Sequence, residues 1–224
     1  MFCGSYCDVN CFGTILYQHS QGMERALLRP GEIIVTLPIM GSTLSTMVNY
    51  GENIGGGIVF YLDDSQRHGL IAAIEDIFIH YTDRWDKKNY AGFYRWSTGE
   101  NLAINKSDYA WKELSETGTA IGQGAENTRE ILLKYPLATF SATAAAVASA
   151  YRGGGFSDWY LPSKDELHQL YLERRLVGGF SATGYWSSSE SSTNNAWYQN
   201  FKSGEQYNTF GKGTLKRVRA IRCF

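Results

Sequence analysis

The stretch that most constrains the fold runs from Gly153 to Tyr171 and reads Gly-Gly-Gly-Phe-Ser-Asp-Trp-Tyr-Leu-Pro-Ser-Lys-Asp-Glu-Leu-His-Gln-Leu-Tyr. Its opening glycines allow backbone conformations, or a close approach to another segment, that side chains disfavour. Three bulky apolar residues follow, Trp159, Tyr160 and Leu161, and their side chains favour burial in the interior. We therefore predict a buried aromatic anchor that leads into a helix packed on a sheet.

A capping box marks the start of that helix. Pro162 blocks continuation of the preceding segment, and Ser163 is followed three residues later by Glu166. In such a box the Ser163 hydroxyl accepts from the Glu166 N–H, and the Glu166 carboxylate accepts from the Ser163 N–H. The apolar residues that recur with a period near 3.6 define one helix face, formed by Leu167, Leu170 and Tyr171.

Length and composition fit one well-buried domain, or one domain with a small extra module. The 224 residues include 15 Tyr, 6 Trp and 24 Gly but only 4 Pro, which favours a loop-rich domain that contains sheet. Abundant amphipathic aromatics also suit recognition surfaces. The formal net charge of −1 argues against a nucleic-acid partner. The most apolar stretch, residues 33–48, is too short and too polar to predict a membrane span.

The cysteines predict neither a metal site nor a catalytic thiol. Cys3, Cys7 and Cys11 are spaced four residues apart, and Cys223 is next to last. This spacing matches no usual zinc motif. A disulfide that involves Cys223 and a set of free thiols both stay open. We predict no metal and no cofactor.

Residues 1–52 differ in character from the rest and are interpreted as an N-terminal extension. Gln21 to Arg29 could be helical, and Gly31 to Met40 is strand-like. The apolar side chains of this strand-like run must be buried against another surface. One interpretation is therefore a docking or oligomerisation segment through which the chain could form a homo-oligomer. An ordinary edge strand of the main domain is the alternative. No basic region followed by an apolar core is present, so no secretion signal is expected.

The chain from residue 53 onward alternates strands, loops and helices. A β-hairpin is predicted with strands Ile58 to Leu62 and Leu70 to Ala73, and with Asp63 and Asp64 as turn formers rather than metal ligands. Residues 80–120 predict a long loop region with short strands, whose tryptophans serve as anchors. Further helices and strands are predicted at 126–135, 142–151, 185–186, 197–201 and 218–221.

Six motifs in a fixed order carry a resemblance to a known family. They are Gly-Gly-Gly-Ile-Val-Phe-Tyr-Leu-Asp near residue 55, His-Gly-Leu-Ile-Ala-Ala near 68, Arg-Gly-Gly-Gly-Phe-Ser-Asp-Trp-Tyr-Leu-Pro-Ser-Lys-Asp-Glu-Leu near 152, Tyr-Trp-Ser-Ser-Ser-Glu at 185, Ala-Trp-Tyr-Gln-Asn-Phe at 196 and Arg-Val-Arg-Ala-Ile-Arg at 217. Together they resemble the Lcl C-terminal domain family, which is found in bacterial surface and phage proteins. The resemblance runs from about residue 53 to the end.

This resemblance implies an α+β, C-type lectin-like domain over residues 53–224, with two main helices and a mixed, mostly antiparallel sheet. It implies binding rather than catalysis. The calcium-binding Glu-Pro-Asn or Gln-Pro-Asp loop of sugar-binding lectins is missing, which argues against a calcium-dependent sugar site. The cysteine pair of the formylglycine-generating enzymes, which share the broader fold, is missing as well.

Some members of this group are variable proteins of diversity-generating retroelements, in which exposed positions vary on a fixed frame. The arrangement here looks similar, because scattered Ser, Asn, Tyr, Thr and Lys lie between aromatic and apolar frame positions. Those frame positions are Trp186, Trp197, Phe201, Val218 and Ile221. Polar and aromatic residues of this kind are also what adaptable paratopes use.

We expect the binding face to be built from the Ser189–Asn200 connection and the Glu205–Thr214 loop. If Trp197 and Phe201 point inward, a period of two sends Tyr198, Asn200 and Lys202 outward. The predicted contact residues are Ser191, Asn194, Asn195, Tyr198, Asn200, Lys202, Glu205, Tyr207, Asn208 and Phe210.

Two other kinds of chemistry receive weaker support. The histidines are scattered, His168 has no nucleophile motif beside it, and the serines at 187–189 lack the Gly-x-Ser-x-Gly elbow. We therefore expect no enzyme activity. The basic strand from Lys216 to Arg222 could bind polyanions, but the favoured interpretation is that its arginines pair with carboxylates such as Asp158 or Glu190.

These observations predict a ligand-binding or receptor-recognition module of a bacterial surface or a phage tail. Its expected partner is a protein or glycan on a host or neighbouring cell surface. The alternatives are a structural or oligomerisation tail protein and a polyanion-binding or glycan-binding adhesin.

Overall fold

A computed structural model describes residues 47–82, 88–97, 100–101, 109–110, 117–135 and 142–224. Val48–Phe224 forms one compact unit. The predictions for the first three cysteines, for the helix at 21–29 and for the strand at 31–40 lie outside the described residues, as do Trp85 and Trp111.

A four-stranded antiparallel sheet joins the start of the described unit to its end. Its order is β1 (Asn53–Ile54), β2 (Gly57–Leu62), β3 (Gly69–Ala73) and β13 (Ile221–Cys223). The pairing of β2 with β3 confirms the predicted hairpin. Asp63 shapes its turn, because its carboxylate accepts from the Ser65 N–H at 3.1 Å.

The remaining strands form smaller antiparallel sheets. A three-stranded sheet has the order β11 (Gln206–Tyr207), β10 (Ala196–Asn200) and β9 (Gly184–Glu190). Three two-stranded sheets pair β4 (His80–Thr82) with β5 (Asn89–Ala91), β6 (Tyr94–Arg95) with β12 (Leu215–Lys216), and β7 (Glu100–Asn101) with β8 (Tyr109–Ala110).

Four α-helices accompany these sheets in the described residues, where the resemblance implied two main helices. They are α1 (Gly124–Lys134), α2 (Ala144–Ala150), α3 (Lys164–Leu172) and α4 (Arg174–Val177). The helices predicted at 126–135 and 142–151 correspond to α1 and α2, with ends that agree within two residues. The expected α+β class with mostly antiparallel strands is confirmed for the described residues.

The predicted capping box begins α3. The Glu166 N–H donates to the Ser163 hydroxyl at 3.3 Å, and the Ser163 N–H donates to the Glu166 carboxylate at 2.7 Å. That carboxylate is fully buried and also accepts from the Gly122 N–H at 2.8 Å. Burial raises its pKa to about 7, although these hydrogen bonds act in the opposite direction.

The predicted aromatic anchor is buried ahead of the helix. Trp159, Tyr160 and Leu161 are all buried. The Trp159 indole donates to the Gly153 carbonyl at 3.1 Å. The backbones of Tyr160 and Ile221 exchange two hydrogen bonds of 2.8 and 3.0 Å. The anchor therefore ties the glycine turn to the last strand of the four-stranded sheet.

The glycines before the anchor serve close backbone contact, as predicted. Gly154 has a φ of +64°, and a Cβ added there would lie 2.5 Å from the Gly56 Cα. A side chain at this position would be strained and would also collide with the backbone before β2. This contact brings the turn beside the first hairpin.

The three-stranded sheet lies between two apolar clusters. Trp186 and Tyr198 belong to the larger cluster, and Tyr185 and Phe201 belong to the other. Because both faces of β9 and β10 are covered, simple alternation of inward and outward residues does not apply to these strands. Trp96, also in the larger cluster, donates to the Ser187 carbonyl at 2.7 Å and is an anchor as predicted.

Candidate functional site

Two segments lie side by side at the edge of the three-stranded sheet, and we call them the loop pair (residues 191–195, and residues 205–212, which include the short edge strand β11). Asn195 and Gly211 form an isolated antiparallel bridge. The Lys212 N–H donates to the Asn194 carbonyl at 2.9 Å, and the Ser191 hydroxyl donates to the Asn208 carbonyl at 3.4 Å. The structure therefore places side by side the two segments that we predicted to form the binding face.

A buried ion pair holds the loop pair to the domain. The Lys212 ammonium binds the Glu190 carboxylate, with side-chain exposures of 0% and 4%. The same ammonium donates to the Thr193 carbonyl at 2.7 Å and lies 4.9 Å from the centre of the Trp96 ring. Glu190 ends β9, so the pair joins the start of the first loop to the end of the second.

An aromatic stack forms the floor of the loop pair. The Tyr198 and Tyr207 rings stack with centroids 5.3 Å apart, on strands that pair these two residues directly. The Phe210 ring meets Tyr198 edge-on at 5.5 Å. Phe210 is 47% exposed, whereas Tyr198 is 7% exposed. The floor is therefore buried at Tyr198 and opens to solvent at Phe210.

The predicted orientation of β10 is wrong at two positions. Tyr198, expected to face outward, is buried in the larger apolar cluster. Trp197, expected to be an inward frame residue, is half-buried, and the Lys164 ammonium lies 4.8 Å from its ring. The reason is that β10 is covered on both faces, so that Tyr198 and Phe201 bury themselves in different clusters. The register of the pairing between β9 and β10 also shifts between Ala196 and Tyr198, so the strand is irregular at this point.

Lys216 lies among the rings and was not predicted as a site residue. Its ammonium is 3.8 Å from the Tyr198 ring centre, 4.6 Å from that of Phe210 and 5.1 Å from that of Trp186. Burial lowers its pKa to about 8. Within the described part of the chain, no carboxylate pairs with it. No signal in the sequence distinguishes Lys216, because it is the first of four basic residues interspersed with apolar ones between positions 216 and 222.

The ten predicted contact residues differ in exposure. Five are exposed, namely Asn194, Lys202, Glu205, Asn208 and Phe210. Four are half-buried, namely Ser191, Asn195, Asn200 and Tyr207, and Tyr198 is buried. The exposed members that share the loop pair with Phe210 are Asn194, Glu205 and Asn208.

Hydrogen bonds inside the chain already engage part of this set. The Asn200 side-chain oxygen accepts from the Lys202 and Ser203 N–H groups at 2.9 and 3.3 Å, so it shapes the turn after β10. The Tyr207 hydroxyl donates to the Glu205 carboxylate, which raises the pKa of Tyr207. These side chains therefore contribute first to the shape of the loops.

The basic C-terminal strand is used internally, as the favoured interpretation expects. Arg222 makes two 2.7 Å hydrogen bonds with the Asp158 carboxylate, which confirms that predicted pair. Arg219 pairs with Asp76 at 2.9 Å and is fully buried. Glu190, the other predicted partner, pairs with Lys212 instead. These buried arginines are not presented to a polyanion.

The side chains weighed for catalysis make hydrogen bonds or ring contacts within the domain. The Ser187 and Ser189 hydroxyls donate to the carbonyls of Trp197 and Gly118 at 2.8 and 2.7 Å. The Asn127 side chain donates to the Ser188 hydroxyl at 3.1 Å. His168 stacks on Tyr171 with centroids 6.4 Å apart.

The described residues contain neither a cluster that could hold a metal ion nor a helix that could span a membrane. They contain no group of three or more His, Cys, Asp or Glu placed to hold a metal ion. Among their helices, none has the length and apolar character that crossing a bilayer requires.

Comparison with known proteins identifies the family. The chain is similar to a solved structure of a fimbrial protein from Bacteroides ovatus ATCC 8483, with a TM-score of 0.41 and 15% identity. That alignment covers 74% of this chain and 43% of the other, so the chain spans less than half of the fimbrial protein's length. No curated protein matches. The model of the Lcl C-terminal domain matches residues 84–222, beginning after the motifs near 55 and 68. Because this match covers more than half of its 224 residues, the chain belongs to the Lcl C-terminal domain family.

Proposed function

We propose that this domain is a recognition module that binds a protein or glycan on a host or neighbouring cell surface through the loop pair. We place its action at a bacterial cell surface or in a phage tail. Membership of the Lcl C-terminal domain family supports this role, because that family occurs in bacterial surface and phage proteins. We also propose that the module acts by binding, without an enzymatic reaction.

The observation that carries the proposal is the position of Phe210. Its ring is 47% exposed, yet it is supported by the Tyr198 ring below and by the Lys216 ammonium beside it. An exposed aromatic ring on a rigid floor can bury apolar area with little loss of conformational entropy. The exposed Asn194 and Asn208 lie on the two loops and supply hydrogen-bonding groups at its rim.

The charge of Lys216 indicates which partner groups suit this face. A half-buried ammonium that lacks a carboxylate in the described residues is stabilised by an acidic group brought close to it. We therefore propose that the partner presents a carboxylate or another anionic group beside an apolar or sugar surface. Such a group would also raise the pKa of Lys216 towards its ordinary value.

Two finer assignments belong to the same proposal. We propose that the fold is of the C-type lectin-like kind, which the α+β class and the family membership support. We also propose that the exposed positions of the loop pair are diversified by a retroelement. The separation of buried frame residues such as Trp186 and Val218 from exposed ones such as Asn208 supports this. Sequencing the 3′ end of sibling clones tests it, and a clonally invariant end would exclude it.

A matched pair of phenylalanine variants tests the binding face. Phe210→Ala removes the exposed anchor, and Phe78→Ala removes a phenylalanine that is 60% exposed outside the loop pair. The full chain would be labelled and applied to a glycan array and to intact bacterial and host cells. We expect Phe210→Ala to lose at least about tenfold in affinity, as loss of an anchoring aromatic residue does. Phe78→Ala should bind as the wild type does.

Equal binding by both variants and the wild type would overturn the proposed face. If no surface binds the wild type, size-exclusion chromatography of the full chain examines the alternative of a structural or oligomerisation protein. A concentration-dependent oligomer without any surface binding would favour that alternative over recognition.

A further inference from the structure

A second concave site lies away from the loop pair, where α4 meets the loop that leads into β9. The cavity has a volume of about 340 Å³ and is lined by Arg174, Arg175, residues 178–182 and Phe201. This volume falls at the lower end of the range of small-molecule sites. Its lining residues include two arginines and two phenylalanines, and the described lining residues include no carboxylate.

Arg219 orients two peptide groups in the loop that lines this cavity. Its fully buried guanidinium donates to the carbonyls of Gly178 and Gly179 at 3.2 and 2.7 Å. In a trans peptide the N–H points away from the carbonyl of the same unit. The N–H groups of Gly179 and Phe180 are therefore directed away from the Arg219 guanidinium. Neither donates a hydrogen bond within the described part of the chain.

The conformation of the two glycines places these N–H groups close together. Gly178 and Gly179 have φ values of +75° and +71°, which are accessible to glycine at little cost. Successive backbone N–H groups that point to the same side of a loop can form a concavity that attracts anions. The loop thus adds two backbone donors to the two arginines.

The arginines are placed to complete such a site. The Arg174 guanidinium lies 3.9 Å from the Tyr171 ring centre and donates to the Tyr171 carbonyl at 2.8 Å. These contacts restrict the position of the guanidinium before any ligand binds. Arg175 is exposed and has no acidic partner in the described residues. Guanidinium groups bind carboxylates in a bidentate manner. The Phe180 and Phe201 rings offer an apolar wall beside them.

We propose that this cavity binds a carboxylate carried on an apolar body, with the anion held by Arg174, Arg175 and the N–H groups of Gly179 and Phe180. The apolar body would rest against Phe180 and Phe201. A free carboxylic acid and the C-terminal carboxylate of a peptide share this chemistry. The site is separate from the loop pair, so its failure would leave the proposed recognition function untouched.

N-acetyl-phenylalanine and its C-terminal amide form a matched pair of probes for this site. Titration into the ¹⁵N-labelled full chain should shift the amide resonances of Gly179 and Phe180 with the acid and leave them in place with the amide. A peptide that ends in phenylalanine, tested as acid and as amide, distinguishes the two sources. Tighter binding of the peptide acid than of N-acetyl-phenylalanine indicates a peptide terminus, and equal binding indicates a small carboxylic acid.

Substitution of the exposed arginine supplies the variant test. Arg175→Gln should weaken binding of the acid about tenfold, the effect of losing one charge-assisted contact. Arg67→Gln makes the same change at an exposed arginine in the turn between β2 and β3, and should leave the affinity unchanged. The proposal is overturned if the acid and the amide shift the same resonances equally. It is overturned as well if Gly179 and Phe180 do not respond, or if both variants bind as the wild type does.

Discussion

The ammonium of Lys212 and the carboxylate of Glu190 form an ion pair that is almost completely buried beneath the loop pair. The two residues stand on opposite sides of the connection, Glu190 at the end of β9 and Lys212 at the end of the second loop. Their contact therefore fixes the relative position of two segments that carry the exposed residues of the proposed face.

Breaking this pair on one side should destabilise the domain strongly. Lys212→Met leaves the Glu190 carboxylate buried without its partner, and we expect a loss of about 3–5 kcal/mol in the free energy of unfolding. Urea denaturation at neutral pH measures it. Lys202→Met is the matched control, because Lys202 is exposed, and it should change stability by less than about 0.5 kcal/mol. Equal effects of the two variants would contradict the structural role of the pair.

Tyr198 should behave as a core residue and Phe210 as a surface residue. Tyr198→Ala removes a buried ring from the larger apolar cluster and should cost about 3–5 kcal/mol. Phe210→Ala removes a ring that is 47% exposed, and should cost about 1 kcal/mol or less. Thermal unfolding of the two variants distinguishes them. A Tyr198→Ala variant with an unchanged melting temperature would show that this tyrosine does not support the floor.

Two neighbouring glycines allow conformational strain to be separated from steric contact. Gly154 and Gly155 both have positive φ, at +64° and +80°, but only Gly154 has a neighbour, Gly56 Cα, 2.5 Å from an added Cβ. Gly155→Ala should cost about 1–2 kcal/mol, the penalty of the left-handed conformation alone. Gly154→Ala should cost about 1–3 kcal/mol more, because the Gly56 backbone must move. Equal losses in urea denaturation would mean that the contact at Gly56 adds nothing.

The buried capping carboxylate should give the domain a pH-dependent stability. Burial raises the pKa of Glu166 from 4.5 to about 7, so between these values the folded state binds more protons than the unfolded state does. Its stabilising contribution is therefore complete below about pH 4.5 and is lost as the pH rises through about 7. The total change is about 3 kcal/mol.

The matched variant for this effect is Glu166→Gln, which does not titrate. The difference in unfolding free energy between the wild type and Glu166→Gln should fall from pH 5 to pH 8, whereas the contributions of other carboxylates cancel in that difference. Urea denaturation of both proteins across this range provides the measurement. A difference that stays constant with pH would show that Glu166 keeps the same charge in the folded and unfolded states.

Local sequence signals identified much of the secondary structure. The capping box of Ser163 and Glu166, the hairpin around Asp63 and the alanine-rich helix each depend on neighbours in the chain, and the described residues confirm them. The close approach at the glycines and the burial of Trp159 also followed from local chemistry. The sequence also led us to combine the two segments of the loop pair in one predicted binding face, and the structure places these segments side by side.

The orientation of β10 and the partners of the buried charges could not be obtained in the same way. An alternating strand pattern assumes one face in water, and nothing near Tyr198 in the chain shows that β10 is covered on both sides. Likewise, the sequence alone does not show which basic residue pairs with Glu190. The packing of the folded chain brings Lys212 to it.

The sequence by itself determined where helices and turns begin, which aromatic residues anchor the interior and which family the chain resembles, because these properties follow from short-range chemistry and motif order. The tertiary structure alone decided that Tyr198 is buried, that Lys216 lies among three rings and that Arg219 binds the carbonyls of Gly178 and Gly179. The physical reason is that burial and charge pairing depend on segments distant in the chain, whose contacts no local pattern encodes.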